Sequence, residues 1–450
     1  MSFKTNKIKN DQKQERFSSA GFILAAIGSS IGLGNMWKFP YITGENGGAA
    51  FFLLFIICLI IIGLPVLLAE LAIGRSSRTS AATAFAKITG KKGWNSLGIL
   101  QIIAPFIILS FYIIIAGWTL HYTVLSFSGQ LFKNSDYSAV FTHFSSGYLP
   151  IIWQGISILI SAWVVIKGVS GGIEKFNKVL LPGMVVLLII LMIRALTLPG
   201  AGAGVNFFLK PDFASLSPES ALIALGHAFF SLSLGMGILM TYGAYVNKEQ
   251  SLGTAALAIG AGDLIYAFIA GLIIFPTTFS FGIAPDKGPS LIFEALPAAF
   301  SAMPAGSIFA GLFFVILAIA AITSSVSLLE VPVAYARERW SWSRSRSVWT
   351  MAVLVFLLGL PSALSLGLAK NITLFGVSFF DAMDFIASNI LLPFIGLIVT
   401  IFAGYFWKNI AEESGLNQTW FKIWLFMLRY IAPILVLLVL LHTSGVIKFK

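Results

Sequence analysis

The chain has 450 residues, of which 58% are hydrophobic and 10% charged, with a formal net charge of +11 and a single cysteine, Cys58. A soluble globular protein carries about 25% charged residues because its surface faces water, so this composition excludes an ordinary soluble domain. It also excludes a disulfide-rich secreted scaffold and a disordered chain. The length allows about a dozen spans of ~20 residues, and we therefore expect an all-α, multi-pass membrane protein in contact with the lipid bilayer.

Runs without a charged residue predict eleven transmembrane helices, numbered here as spans 1 to 11. The runs are Phe17–Trp37, Asn46–Ala69, Gly93–Phe132, Tyr137–Ile166, Val179–Ile193, Ser220–Asn247, Leu264–Pro285, Ala295–Leu329, Ser347–Ala369, Phe385–Trp407 and Tyr430–Ile447. The sequence thus predicts a polar tail over residues 1–16, followed by a single membrane domain over residues 17–447.

Lysine and arginine are distributed unevenly between the two sides of these spans. About 20 of the 29 lie in segments on the side of the N-terminus, and about 7 lie on the other side. Because cytoplasmic loops carry such an excess, we expect a plasma-membrane protein with its N-terminus in the cytoplasm and its C-terminus outside. The positive charge is explained by this orientation and gives no reason to expect a nucleic-acid partner.

Spans 1 and 6 contain glycines and small polar residues at mid-span, in the segments Gly28–Asn35 and Ser231–Gly237. Such residues either permit close helix packing or mark an interrupted helix, which persists at membrane depth only where it lines a cavity. Two such segments five spans apart favour interruption. They predict inverted repeats over about residues 17–196 and 219–407, each opening with a broken helix, and an extra helix at about 420–447.

Four segments carry a family resemblance: GSSIGLGNMWKFPYITGENGGAAFF, GLPVLLAELAIGR, HAFFSLSLGMGILMTYGAYV and AITSSVSLLEVP. Together they resemble the neurotransmitter:sodium symporter family, in particular its bacterial amino-acid transporters, over about residues 13–410. The resemblance implies a leucine-transporter-type fold. It also implies sodium-coupled symport of neutral hydrophobic L-amino acids by alternating access, in a protein of bacterial origin.

The resemblance implies two sodium sites built from oxygen atoms, the ligands that hard cations prefer. The first site would use Ser30, Asn35, Ser231 and Asp263, together with the substrate carboxylate. The second would use the carbonyl groups of Gly28, Ile31 and Ala320 and the hydroxyl groups of Thr323 and Ser324. For these two hydroxyl groups, hydrogen bonding to a carbonyl of their own helix is the alternative explanation.

The resemblance also implies a substrate site between the broken helices. Its residues would be Ser29, Ser30, Gly32, Leu33, Gly34, Ile108, Tyr112, Phe230, Ser231, Ser233, Met236 and Leu328. Monoamine-carrying relatives place an aspartate at the position of Gly32, so glycine there indicates substrates with their own carboxylate. An unpaired charge among the apolar side chains would cost several kcal/mol, which favours neutral hydrophobic substrates. Ordinary helix packing is the alternative explanation for the apolar residues.

Charged residues at two levels match the gates of the family. Lys38 and Asp384 match its outer pair, and Glu338 matches its inner acid, with Lys13 or Arg16 as the basic partner. A lysine cannot make the bidentate contact of the arginine that is commoner in the family, so we expect a looser outer gate.

Three further features of the spans were interpreted from the residues. Gly172 lies ten residues before Pro182, which predicts that this part of span 5 can unwind, with a static kink as the alternative. Glu70 and His227 are interpreted as buried structural residues with hydrogen-bond partners.

Asp263 is the sole acid between Gln250 and Ala284, at a position where the family usually has asparagine. Two sodium ions and a zwitterion bring positive charge into a dry cavity, and a carboxylate there can balance it. We therefore expect transport with two sodium ions and without chloride. A proton-coupled carrier and an ion channel remain alternatives. An enzyme is not expected, because no metal-ligand cluster or phosphate-binding loop is present in the sequence.

Overall fold

The computed structural model describes residues 16–133, 135–283 and 291–443. Lys13 and the remainder of the predicted tail before Arg16, and the end of predicted span 11 after Thr443, lie outside the described residues. Helices dominate the described chain. A short antiparallel ribbon pairs Thr373–Leu374 with Val377–Ser378.

The helices of the bundle are labelled α1 to α11 in chain order, to match the predicted spans. Within the described ranges, nine are apolar helices long enough to cross a membrane. They are α2 (Ala49–Ser77), α3 (Trp94–Phe127), α4 (Leu149–Ile166), α5 (Val169–Leu196), α7 (Leu252–Ser280), α8 (Gly306–Trp340), α9 (Arg344–Leu364), α10 (Phe379–Phe406) and α11 (Gln418–Thr443). The two halves of α1 together would make a tenth span, and α6 is likewise divided into two helices. The predicted all-α membrane fold is confirmed.

The first break divides α1 into α1a (Ser19–Ser30) and α1b (Gly34–Glu45), which meet at an angle of 42°. The Ser18 hydroxyl caps α1a by accepting the Gly21 N–H. At the other end of α1a the Gly32 N–H donates to the Ser30 carbonyl at 2.9 Å, which is a tight turn and not a helical bond. Glycines at positions 32 and 34 lower the helix propensity of this segment, so the break forms where the sequence predicts it.

The second break separates α6a (Pro218–Ser231) from α6b (Ile238–Ala244). Ser233, Gly235 and Gly237 in the connection have φ angles of 55°, 74° and 65°. Positive φ is accessible to glycine but costs energy for serine, so Ser233 is held there by its surroundings.

Several span boundaries differ from those predicted from charge-free runs. The helices α2, α7 and α8 continue through Glu70, Asp263 and Glu330, and all three side chains are fully buried. Conversely, α4 begins at Leu149 and α8 at Gly306, because separate helices Tyr137–Ser145 and Leu291–Ser301 precede them. A charge marks a span end only when it faces water, and these carboxylates face protein.

The ends of the bundle are named here by a charged residue at each. The Lys38 end contains Lys38 of α1b and Asp384 of α10, which line one cavity. The Glu338 end contains Glu338 near the end of α8 and Arg16 ahead of α1a, which line another.

Candidate substrate and sodium site

The two breaks lie side by side and are joined to α8. The carbonyl oxygen of Ser29 accepts hydrogen bonds from the Ser233 hydroxyl at 3.1 Å and from the Ser324 hydroxyl at 3.2 Å. The Ser29 and Ser233 hydroxyl oxygens are 3.5 Å apart. The α6 break and α8 therefore both donate to one backbone carbonyl of α1a. This carbonyl lies at the end of the helix, where it accepts no helical hydrogen bond.

Three of the residues predicted for the first sodium site form a buried cluster. The Asp263 carboxylate accepts from the Ser231 hydroxyl at 2.6 Å and from the Asn35 amide at 2.8 Å, both through Oδ1. The Ser231 hydroxyl is also 3.2 Å from Asn35 Oδ1. Within the described ranges, Asp263 Oδ2 is buried without a hydrogen-bond partner. A buried carboxylate oxygen in this state calls for a cation or a proton.

Ser30, the fourth predicted ligand of that site, is engaged within its own helix. Its hydroxyl donates to the Ala26 carbonyl at 3.2 Å, and its carbonyl accepts the Gly32 N–H. A carbonyl oxygen has two lone pairs, so this turn leaves one available to an ion.

The residues predicted for the second sodium site lie on α1a and α8, and their hydroxyl groups have two different partners. Thr323 Oγ1 is 3.0 Å from the carbonyls of both Ile319 and Ala320, which is hydrogen bonding within α8. Ser324, in contrast, reaches across to Ser29 of α1a. Ile31, at the end of α1a, donates its N–H to the Ile27 carbonyl at 2.7 Å. The hydroxyl and carbonyl oxygens retain lone pairs that could bind sodium.

A small cavity lies between the breaks, and eleven of the twelve residues predicted for the substrate site line it. The twelfth, Leu33, lies beside it and donates its N–H to the Tyr112 hydroxyl at 3.1 Å. Ile238 and Ser324 also line the cavity and were not predicted for it. Its volume is about 20 Å³, close to the space of one water molecule. An amino-acid side chain can enter only if the lining residues move.

A larger cavity of about 310 Å³ lies on the Lys38 side of the small one and shares Gly34, Tyr112 and Phe230 with it. Lys38 Nζ lies over the Phe230 ring, 5.1 Å from its centroid. Asp384 lines the same cavity and accepts a hydrogen bond from Ser388 at 2.7 Å. In the part of the chain that the structure describes, no ion pair within 4.0 Å joins Lys38 and Asp384. The predicted outer pair is therefore together in one cavity but is not in contact.

At the other end, Glu338 is bound by the start of the short helix Ala81–Thr89, which follows α2. Its carboxylate accepts the Ser80 backbone N–H and the Thr83 hydroxyl. Arg16 lines the same cavity of about 760 Å³, but among the described residues it makes no ion pair with Glu338. The Glu338 carboxylate is thus bound to the connection between α2 and α3. Its role as an inner gate, with Lys13 or Arg16 as the basic partner, stays a prediction.

A buried ion pair near the Glu338 end was not predicted. Glu330 is fully buried and pairs with Arg344 at the start of α9, and the Tyr245 hydroxyl donates to Glu330 at 2.9 Å. Arg344 also donates to the carbonyl of Val165 in α4 at 2.6 Å. The sequence contains one indication of this pair: Glu330 lies within the apolar segment AITSSVSLLEVP, and a carboxylate in such a segment needs a partner. Its partner lies on the next helix, beyond any local spacing rule.

The structure assigns different surroundings to the two residues interpreted as structural. Glu70 Oε1 accepts the backbone N–H of Gly235 at 2.8 Å, as expected for a hydrogen-bonded acid. His227 differs from the expectation: both its ring nitrogens are buried without a hydrogen-bond partner in the described chain. Its ring packs instead on Phe39 and Phe55, with centroids 5.7 and 5.0 Å apart. Aromatic packing, which composition alone does not reveal, surrounds this side chain.

The segment of α5 between Gly172 and Pro182 is helical in this structure, with a π-helical turn over Val169–Glu174. A Cβ atom on Gly172 would lie 2.1 Å from the Val164 carbonyl, so glycine is needed for this close approach. Pro182 lies inside the helix without ending it. Unwinding of this segment stays a prediction.

The same part of α5 contacts α1a at two glycines. The Glu174 carboxylate accepts the Ser18 N–H at 2.9 Å and the Ser18 hydroxyl at 2.6 Å. A Cβ atom on Gly21 would lie 2.1 Å from Glu174 Cδ, and one on Gly28 would lie 2.0 Å from Asn177 Oδ1. A side chain at either position would therefore require Glu174 or Asn177 to shift.

Paired broken helices around buried oxygen atoms, with a cavity toward each end, define a secondary transporter. The sequence matches the sodium:neurotransmitter symporter family over residues 14–143 and 145–450, and the chain belongs to this family. The expected family is thus confirmed. The chain is a multi-pass membrane transporter that uses sodium, and not an enzyme.

Individual relatives agree with this assignment. The chain is 38% identical over 450 residues to the uncharacterized sodium-dependent transporter YhdH of Bacillus subtilis, covering 98% of this chain and 100% of the relative. An uncharacterized sodium-dependent transporter of Haemophilus influenzae is 37% identical over 447 residues, covering 96% and 98%. The crystal structure of MhsT in complex with L-phenylalanine is similar, with a TM-score of 0.89, 44% identity and coverage of 95% of this chain and 99% of MhsT.

Proposed function

We propose that the chain is a symporter that couples sodium to the uptake of neutral hydrophobic L-amino acids by alternating access. The observation that carries the proposal is the cavity between the two breaks, whose lining combines Gly32 and Ser233 with the apolar side chains of Ile108, Met236 and Leu328. Backbone and hydroxyl groups suit the charged end of an amino acid, and the apolar residues suit its side chain. The similarity to MhsT, whose structure contains L-phenylalanine, supports this substrate class.

The substrate carboxylate would bind beside Gly32. This position has no side chain, and a Cβ atom there would lie 2.9 Å from Ser324 Oγ and 3.0 Å from Tyr112 Oη. The Tyr112 hydroxyl and the N–H groups at the start of α1b would donate to the anion, which a helix N-terminus favours. The Ser233 hydroxyl and the free carbonyls of the α6 break would accept from the amino group.

Two sodium ions would bind on either side of the α1 break. Asp263, Asn35 and Ser231 would hold the first, and the unpartnered Asp263 Oδ2 is the atom best placed to receive it. Ser324 and Thr323, with carbonyls of α1a and Ala320, would hold the second. At a membrane potential of 100 mV each entering sodium ion contributes about 2.3 kcal/mol, so two would contribute about 4.6 kcal/mol before any concentration gradient.

Chloride would not be required. The negative charge that balances two sodium ions and a zwitterion is supplied by Asp263, which is buried within the sodium cluster. A positive ion in a dry cavity is costly unless a negative charge lies beside it. The Asp263 carboxylate would provide that negative charge permanently, so a chloride ion would not be needed.

Access would alternate between the two ends. Phe230 lines both the small cavity and the larger one on the Lys38 side, so its displacement would join them. Approach of Lys38 to Asp384 would then close the site from that side, while release of the contacts at Glu338 would open the other. Following the distribution of lysine and arginine, the Glu338 end would face the cytoplasm of a bacterial cell.

The test is uptake by the purified protein in liposomes, measured for each of the twenty amino acids with and without a sodium gradient. We expect saturable, sodium-dependent uptake of aliphatic and aromatic amino acids with a fixed ion-to-substrate ratio. Uptake driven equally by a proton gradient in the absence of sodium would identify a proton-coupled carrier. Sodium current without a fixed ratio to substrate would identify a channel, and either result would reject the proposal.

A further inference from the structure

A groove of about 620 Å³ opens at the Glu338 end, between the short helix Ala81–Thr89 and the end of α10. Lys87, Lys91 and Lys408 line it, and none of its described lining residues is acidic. Lys87 lies in this short helix and Lys91 just after it, both between α2 and α3, whereas Lys408 follows α10. Residues more than 300 positions apart in the sequence thus bring three positive charges to one site.

Aromatic packing fixes the elements that carry these lysines. Phe85 of the short helix packs on Phe402 of α10 with ring centroids 4.6 Å apart. Trp94, the first residue of α3, packs edge-on against both Phe402 and Phe406 at 5.0 and 5.1 Å. The short helix also lies directly on α3, because a Cβ atom on Gly98 would be 2.0 Å from the Ala82 carbonyl. The short helix is therefore held in place by contacts with both α10 and α3, and these contacts fix the walls of the groove.

The lysines of this groove differ from other basic residues at the same end of the bundle. Arg75, Lys178 and Arg344 are each paired with a carboxylate, namely Glu413, Glu174 and Glu330. In contrast, Lys87, Lys91 and Lys408 make no ion pair within 4.0 Å in the part of the chain that is described. Three exposed ammonium groups around one concavity leave its positive charge uncompensated, so it would attract an anion.

The depth of the groove indicates which anion. It lies where α3 begins, at Trp94, and where α10 ends, at Phe406, and the ends of membrane-spanning helices are expected near the lipid headgroups. Tryptophan is characteristic of this level, and both Trp94 and Trp407 line the groove. Tyr405 and Phe406 are 55% and 52% exposed at the adjoining end of α10, where acyl chains can pack against them.

We infer that this groove binds the phosphate group of an anionic phospholipid, with the lysines around the phosphate and the acyl chains along the exposed end of α10. Basic pockets of this kind at the cytoplasmic side of a membrane protein recognise acidic headgroups. A generally positive surface would explain lysines scattered over this end, but not their convergence on one aromatic-lined concavity.

The purified full-length protein in detergent micelles can be titrated with dioleoyl phosphatidylglycerol or dioleoyl phosphatidylcholine, and bound lipid counted by native mass spectrometry. We expect saturable binding of phosphatidylglycerol at this site and at least tenfold weaker binding of phosphatidylcholine. Since each interfacial lysine contributes about fivefold in affinity, the triple variant Lys87→Gln, Lys91→Gln, Lys408→Gln should bind on the order of 100-fold more weakly.

The matched control replaces three exposed basic residues of the same end that lie outside the groove, Lys175→Gln, Lys248→Gln and Arg339→Gln. It removes the same charge and should retain the lipid, as should the charge-conserving variant with arginine at all three groove positions. An equal loss of phosphatidylglycerol affinity in the control variant would show that general surface charge binds the lipid, and would overturn the inference. Equal binding of the two lipids by the native protein would overturn it without any variant.

A free phosphate ion is the other source of the same chemistry. Inorganic phosphate at millimolar concentration should leave bound phosphatidylglycerol in place, because it lacks the acyl chains that would pack along α10. Displacement of the lipid by inorganic phosphate at this concentration would show that the groove binds a soluble anion and would reject the lipid assignment.

Discussion

Glu70 of α2 accepts the backbone N–H of Gly235 at 2.8 Å, in the middle of the α6 break. Gly235 has a φ angle of 74°, and a Cβ atom on it would lie 2.8 Å from the Leu392 carbonyl of α10. The unwound backbone is therefore fixed from two directions, by a carboxylate that receives its free N–H and by a helix that leaves no room for a side chain. A broken helix in a membrane needs such partners for its freed backbone groups.

Glu70→Ala should lower the free energy of unfolding by about 3 kcal/mol, because it leaves the Gly235 N–H without an acceptor and creates a cavity. Glu70→Gln retains an acceptor oxygen and should cost about 1 kcal/mol. Thermal unfolding in detergent measures the difference, with Glu412→Ala as the exposed control on the Glu338 end. Equal stability of the two Glu70 variants would show that the hydrogen bond to Gly235 does not support the break.

Asp263→Asn should weaken sodium binding by at least tenfold, since it removes the one charge of the cluster with Asn35 and Ser231. Uptake by the native protein should be equal in sodium chloride and sodium gluconate. The exposed Asp212 provides a control, because Asp212→Asn removes the same charge outside the spans. A strict chloride requirement in the native protein, or unchanged sodium affinity in Asp263→Asn, would contradict the role assigned to this carboxylate.

Thr323→Ala combined with Ser324→Ala should abolish sodium-dependent uptake while the protein still folds, because both hydroxyl groups proposed to bind the second sodium ion are removed. Ser325→Ala is the matched control on α8, since the Ser325 hydroxyl is buried and bonds to the Ala321 carbonyl at 2.8 Å. Sodium-dependent uptake is measured in liposomes. Normal sodium dependence of the double variant would place the second ion elsewhere.

Gly32→Asp should abolish amino-acid binding, because a fixed carboxylate would take the place of the substrate's own and repel it in a site of low dielectric constant. Gly32→Ala should weaken binding by a smaller factor, since its Cβ would approach Ser324 Oγ and Tyr112 Oη to about 3 Å. Gly226→Ala is the control, with no atom within 4 Å of the added Cβ. Near-native binding of leucine and tryptophan to Gly32→Asp would mean that the carboxylate site lies elsewhere.

The Glu330–Arg344 pair can be examined with a double-mutant cycle. Arg344→Met should lower the free energy of unfolding by about 3–5 kcal/mol, because it removes the cation that pairs with the fully buried Glu330. Glu330→Leu should cost less, because Arg344 is 14% exposed and retains its bond to Val165. The double variant should cost less than the sum, as the lone charge is then absent. Lys178→Gln, which removes a lysine that is 41% exposed, should cost less than about 1 kcal/mol. Additive losses in the cycle would show that the two charges do not stabilise each other.

The fold was predictable because the signals for spans and breaks are local. Length and hydrophobicity mark the helices, and glycines near Gly32 and Gly235 mark the interruptions. The span ends were less predictable: Glu70, Asp263 and Glu330 are charged but buried, and a single sequence does not show that a carboxylate faces another helix.

The candidate site depended on long-range proximity. Ser231 and Asn35 are 196 residues apart, and Asn35 and Asp263 are 228 apart, yet the three meet in one cluster. No periodicity brings such residues together, and it was the family resemblance that grouped them. The resemblance named no partner for Glu330 or for the lysines beside Trp94. For these residues the sequence alone did not show which side chains lie together in the fold.

The glycine contacts between α1a and α5 bear on how this end of the transporter can move. Interlocking side chains must change rotamers before two packed helices can part, but Gly21 and Gly28 present bare backbone to Glu174 and Asn177. If access alternates as proposed, α1a would separate from α5 with little rearrangement of its own side chains. The Ser18–Glu174 hydrogen bonds would hold the two helices together until they separate, and a side chain at either glycine would require Glu174 or Asn177 to shift.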